Sequence, residues 1–171
     1  ELHAREEMMA LLAETAEIEV VGSCSNGVEA LKLINALRPE VLFLDIQMPV
    51  IGGFELLNMV NDEIMPHVVF VTAYDQYSLK AFEEKTLDYL LKPVESERLA
   101  KTIQKLRTTI GDNHPPRYEL SKISRIPCLI GNRIKLINLD EIDHVSTSPA
   151  GVHVVTATDE FFTEVTLKVL E

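Results

Sequence analysis

Three stretches of the chain are apolar without alternation, and each closes on one polar residue. Val41-Leu42-Phe43-Leu44 precedes Asp45, Val68-Val69-Phe70-Val71 precedes Thr72, and Tyr89-Leu90-Leu91 precedes Lys92. A strand with one wet face alternates, so a run that does not alternate reads as a parallel strand covered on both faces. Parallel strands need crossover connections, usually helices, which restricts a chain of this kind to an α/β fold. In open sheets of that type ligands bind beyond the carboxyl ends of the strands. Asp45, Thr72 and Lys92 are therefore expected to converge. A carboxylate, a hydroxyl and an ammonium around one point suit a phosphoryl group: Asp45 would carry it, Thr72 would hydrogen-bond it and Lys92 would neutralise it.

The segments between the runs have the right character for crossovers. Met8, Leu11, Leu12 and Ala16 form a helical stripe within 3–16, and residues 18–21 predict a short strand. Asn26-Gly27 leads into a helix over 28–37. Gly52-Gly53 opens another over 54–62. Asp75 is placed to cap a helix over 76–85, and Leu99, Ile103 and Leu106 mark a last helix over 96–109. The pattern predicts a doubly wound parallel sheet over 1–110. It contains four strands where a sheet of this pattern would have five, because no strand precedes the first helix. The expectation is a domain lacking its first strand, truncated at the N-terminus.

Beyond 110 the composition changes. Residues 111–119 begin Gly-Asp-Asn-His-Pro-Pro and read as a linker. Residues 127–130 and 133–137 predict a hairpin about Gly131-Asn132. Strands over 144–146 and 151–156 flank a turn at Ser148-Pro149-Ala150, a further strand is expected over 161–165, and a helix begins at 166. A β-rich unit of this length is marginal alone, so residues 120–171 are expected to be the N-terminal part of a larger domain.

Charge narrows the partners. The net charge is −11, and residues 1–116 hold 10 basic and 19 acidic side chains against 6 and 8 in 117–171. An acidic surface repels a nucleic-acid backbone, so no DNA-reading residue is assigned; Arg125, Arg133 and Lys135 are only possible phosphate contacts. Cys24 and Cys128 lack the spacing of a metal site and fit reduced thiols. No apolar run reaches the length of a membrane span, and a cytoplasmic location is expected.

These motifs resemble the receiver domain of a two-component response regulator. The likeness rests on Asp45-Ile46-Gln47-Met48-Pro49, Thr72-Ala73 and Lys92-Pro93, in that order. Lys80-Ala81-Phe82-Glu83 and Asp88-Tyr89-Leu90-Leu91-Lys92-Pro93 are similar to the LytTR-type subgroup, and to its YehT-like branch most of all. Residues 126–137 with 139–144 resemble the start of a LytTR DNA-binding domain. The resemblance implies a flavodoxin-like receiver that takes a phosphoryl group from a sensor histidine kinase on Asp45. It implies Mg²⁺ held by Asp45 and the backbone carbonyl of Gln47, a switch formed by Thr72 and Tyr89, and a cis Lys92–Pro93 peptide. Promoter DNA, bound through a complete LytTR domain, is the implied target. A homodimer through the receiver's fourth helix, fifth strand and fifth helix is implied too. The acidic pair that supplies the family's other Mg²⁺ ligands is absent from the chain, and Glu1 is not assigned to it.

Two other classes compete. An aspartyl-phosphate phosphatase of the haloacid-dehalogenase type needs a second Asp two residues after its nucleophile, and Gln47 stands there. A pseudo-receiver, an interaction module that takes no phosphate, would suit the missing acidic pair. Taken singly the residues have plainer readings: Thr72 as an ordinary strand residue, Tyr89 as core, and His3 with Glu7 as a surface pair.

Overall fold

The fold is described from a computed structural model, covering residues 2–73, 86–110, 116, 118, 123–131 and 133–170. The helix expected over 76–85, its cap Asp75 and the motif at 80–83 lie outside the described residues, as does Asn132.

Helix α1 spans Leu2–Ala13 and α2 spans Gly27–Leu37. The second starts where Asn26 Oδ1 accepts the N–H groups of Val28 and Glu29 at 3.1 and 3.0 Å, which satisfies two of the donors that a helix leaves open at its N-terminus. Strands β1 (Val41–Leu44), β2 (His67–Thr72) and β3 (Asp88–Leu91) form a parallel sheet in the order β1-β2-β3. Its faces are covered as the unbroken apolar runs require. Met8 and Leu12 of α1 pack with Val69, Val71 and Leu90 on one face, joined by Leu99, Ile103 and Leu106 of α4 (Ser96–Ile110). On the other face α2 and α3 (Gly53–Leu57) pack on Leu44, Val68 and Phe70. Helix α3 is shorter than the predicted 54–62, and a 3-10 turn at Asp62–Ile64 follows it.

One predicted strand is not formed. Residues 18–21 run unpaired, so the described sheet has three strands rather than four. An open groove of about 960 Å³ is lined by this segment, by β1 and by Met8, Leu12, Ile34, Ile103 and Leu106. Across it the backbone of 18–21 cannot reach the free edge of β1, and a strand exists only through ladder partners.

The β-rich segment is a five-stranded antiparallel sheet in the order β5-β4-β8-β7-β6. Its strands are β4 (Arg125–Ile130), β5 (Arg133–Asn138), β6 (Ile142–Ser148), β7 (Gly151–Thr156) and β8 (Glu160–Thr163), followed by the short helix α5 (Leu167–Leu170). The predicted hairpin is present, with Ile130 opposite Arg133 and Gly131 at φ 55°. The sheet does not stand apart. Ile126, Cys128, Ile137, Val154, Phe161 and Val165 share one buried cluster with Leu56, Leu57 and Met59. The end of the expected linker is anchored as well: the Tyr118 hydroxyl accepts from Val68 N (2.7 Å) and donates to Pro66 O (3.1 Å). Burial pushes its pKa above the ordinary phenol value.

Candidate functional site

The strand register brings the three predicted residues to one edge. Leu44 lies opposite Phe70 and Thr72 opposite Leu91, so Asp45 and Lys92 each follow the last residue of a strand flanking β2. Lys92 Nζ donates to Asp45 Oδ2 at 2.5 Å, and Gln47 N donates to Asp45 Oδ1 at 3.2 Å. Both carboxylate oxygens are thus engaged while the side chain stays 26% exposed, open enough to meet a reactant. Lys92 N donates to Thr72 O at 2.9 Å, which ties the lysine strand to the threonine strand. The Lys92–Pro93 peptide is cis, as expected.

Thr72 is fully buried, and its Oγ1 has no hydrogen-bond partner among the described residues. An orphaned buried hydroxyl costs about 1–3 kcal/mol. Tyr89, opposite Phe70, packs against the α2–α3 cluster and is half-buried.

The loop after Asp45 is held tightly. Gly53 N donates to Ile46 O at 2.9 Å. A Cβ at Gly53 would lie 2.6 Å from Asp45 O and 3.1 Å from Ile46 Cα, so only glycine lets α3 start this close to the end of β1. Val50, in the same loop, has φ 72°, a conformation β-branched residues avoid.

Asp88 was legible only as part of a motif, yet among the described residues of the receiver half it is the carboxylate with the most side-chain donors. Arg98 binds it through Nη1 and Nη2 at 2.8 and 2.6 Å, Thr102 Oγ1 donates at 2.7 Å and Lys105 Nζ at 3.1 Å. Arg98 also donates to Tyr89 O at 3.0 Å. Burial alone would raise the Asp88 pKa, but the Arg98, Thr102 and Lys105 donors outweigh it and hold the carboxyl well below the usual range. The available signal was one acidic residue opening a buried strand, with Arg98, Thr102 and Lys105 following on one helix face. This clamp fixes α4 to the strand that carries Tyr89 and leads to Lys92.

Metal binding finds partial support in the side chains. Asp45 contributes a carboxylate, and the Gln47 carbonyl is two residues on. Among the described residues no group of three or more His, Cys, Asp or Glu is placed to hold an ion. Cys24 and Cys128 are free thiols. His3 and Glu7 form an exposed pair at 3.3 Å, as the plainer reading expected. No helix of the described residues is long and apolar enough to cross a membrane.

A family model described as the response regulator receiver domain matches residues 1–104. The chain belongs to that family. It is therefore a response regulator of the two-component type and not a turnover enzyme. It is 52% identical over 172 residues to a protein of Vibrio cholerae named a response regulatory protein, covering all of this chain and 72% of the relative. It is 44% identical over 173 residues to the transcriptional regulatory protein BtsR of Escherichia coli, covering 98% and 72%. Among solved structures, the response regulatory domain of mrkE from Klebsiella pneumoniae is 30% identical with a TM-score of 0.59, covering 66% of this chain and 93% of that one.

Proposed function

We propose that this response regulator accepts a phosphoryl group on Asp45 from a sensor histidine kinase, and that this controls a DNA-binding output. The observation that carries the reading is the Lys92–Asp45 pair at the ends of two strands that flank β2. An Asp45 oxygen would attack phosphorus as the P–N bond to the kinase histidine breaks, leaving an acyl phosphate. The ammonium of Lys92, already on the carboxylate, would turn to the new phosphoryl oxygens. The orphaned hydroxyl of Thr72 would gain its partner there. Tyr89 would respond through the cluster it packs in, which makes a two-state switch set by one added charge.

Mg²⁺ would screen the incoming charge when bound. Asp45 and the Gln47 carbonyl supply two oxygens, fewer than the shell of a hard cation requires, and no step is routed through the metal.

The division into a receiver over 1–110, a linker over 111–119 and the start of a LytTR DNA-binding domain over 120–171 belongs to the same proposal. Support for a transcriptional output comes from the relative named a transcriptional regulatory protein and from the motifs of residues 126–144. Of the phosphate-contact candidates Arg125 is paired with Glu55, while Arg133 and Lys135 are exposed, Lys135 with its ammonium 4.5 Å from the Phe161 ring centroid. Dimerisation through the face that includes β3 and α4, and a cytoplasmic location, complete the reading.

The pseudo-receiver alternative draws on the incomplete acidic set. Intact-protein mass after incubation with Mg²⁺ and acetyl phosphate separates the two. A gain of one phosphoryl group in the wild type, absent in Asp45→Asn, is the expected result. No gain in either protein sinks the acceptor reading for this chain.

A further inference from the structure

The β-rich sheet is seated on the α2–α3 face of the receiver, and the seat adjoins the acceptor strand. Arg125 of β4 meets Glu55 of α3 through two hydrogen bonds, Nε to Oε1 at 2.6 Å and Nη2 to Oε2 at 2.9 Å. This bidentate geometry is the more specific form of such a pair. Beside it Asn35 Nδ2 of α2 donates to Glu164 O at 2.9 Å. Lys168 pairs with Glu63 at the far end. Leu56 and Leu57, both fully buried, join Ile126 and Phe161 in the shared cluster.

Helix α3 touches the other end of the chain of contacts directly. Its first residue, Gly53, lies against the Asp45 carbonyl so closely that one added carbon would stand 2.6 Å away. Its second, Phe54, stacks on Phe70 with ring centroids 4.6 Å apart. Its third, Glu55, holds Arg125. Three consecutive residues therefore link the acceptor strand, the sheet core and the β-rich domain. Close packing of this kind leaves little room for one end of α3 to move without the other.

We propose that α3 is a coupling element, through which a shift of the Asp45–Ile46 backbone releases the β-rich domain from the α2–α3 face, with Glu55–Arg125 as the clasp. Only the natural stimulus, phosphoryl uptake at Asp45, rests on the proposed function; the coupling is a property of the packing. In the resting state the domain is docked. Moving α3 away from β1 opens the clasp and exposes the face.

Hydrogen exchange on the full chain tests this without any phosphoryl donor. Arg125→Glu is expected to speed exchange in the β4 and α3 peptides about tenfold, and Glu55→Arg combined with it to restore most of the protection, because the pair is re-formed with its charges exchanged. Gly53→Ala leaves the clasp residues intact but wedges α3 from the Asp45 carbonyl. It is expected to speed exchange in β4 to a similar degree while β2 stays protected. If β2 protection is lost as well, Phe54→Leu, which loosens the stack on Phe70 without a clash, is read instead. Wild-type exchange in β4 for the wedge variant, or for Phe54→Leu where that is read, would overturn the coupling. No rescue by the exchanged pair would overturn the clasp. Absence of Asp45 phosphorylation in the mass experiment would remove the acceptor reading and leave these outcomes unchanged.

Discussion

Thr72 and Asp88 show how differently two buried polar residues can be treated. Thr72 keeps a hydroxyl in the core with nothing to bond it among the described residues. Thr72→Val removes that hydroxyl at nearly constant shape, so chemical denaturation should show a gain of about 1 kcal/mol. The same variant should still accept phosphate at Asp45 but lose the response at Tyr89, seen as unchanged exchange in β3 after acetyl phosphate. Asp88 is the opposite case, with donors on both oxygens. Its folded pKa lies below its unfolded value, so the stability it contributes is full above the unfolded pKa, near 4, and is lost as pH falls toward the folded one. Asp88→Asn should lower stability at pH 7 by about 2 kcal/mol and flatten the acid limb of a stability–pH curve; an unchanged limb would mean the clamp is idle. The thiol of Cys128, fully buried, is pushed up to about 11 by burial, against the pull of Lys135. Burial raises the Cys24 thiol as well, but Cys24 is half-buried where Cys128 is fully enclosed, so thiol labelling at pH 8 should modify Cys24 first.

Among the elements, α2 was the most legible and α3 the least. Asn26 before a 3.6-residue apolar period announces α2, and the structure places the cap on that residue. Asn26→Ala should cost about 1 kcal/mol, measurable as an earlier urea midpoint. Helix α3 was expected to run to 62, but it ends at Leu57 with turns after it. Its brevity goes with its function in the packing, since a five-residue helix is held by what surrounds it rather than by its own hydrogen bonds. The strand expected at 18–21 failed for the complementary reason. Its residues have strand character, but they pair with no described strand, and without a ladder partner a strand does not form.

For the whole molecule, the outcome that sequence reasoning did not anticipate is the union of its two halves. Read by composition, 111–119 is a linker, which suggests independent domains. The structure instead has a single buried cluster crossing from Leu56 to Phe161, with Tyr118 pinned to the start of β2. Raising salt from low to about 1 M, where the Debye length shrinks to roughly 3 Å, should weaken the half-exposed Glu55–Arg125 and Lys168–Glu63 pairs more than the apolar cluster. Scattering should then show little expansion from screening alone, because Leu56 and Leu57 keep the apolar cluster closed until α3 itself is displaced.

The unbroken apolar runs determined by themselves that the first half is a parallel α/β sheet, because burial on both faces leaves no room for alternation. They determined too that Asp45, Thr72 and Lys92 end strands at one edge, because every strand of a parallel sheet points the same way. Only tertiary structure decided which runs found partners, that Asp88 would gather Arg98, Thr102 and Lys105, and that Arg125 would close on Glu55, 70 residues away. Those pairings are between side chains or backbones far apart in sequence, and periodicity reports the face a residue occupies, not what stands opposite it.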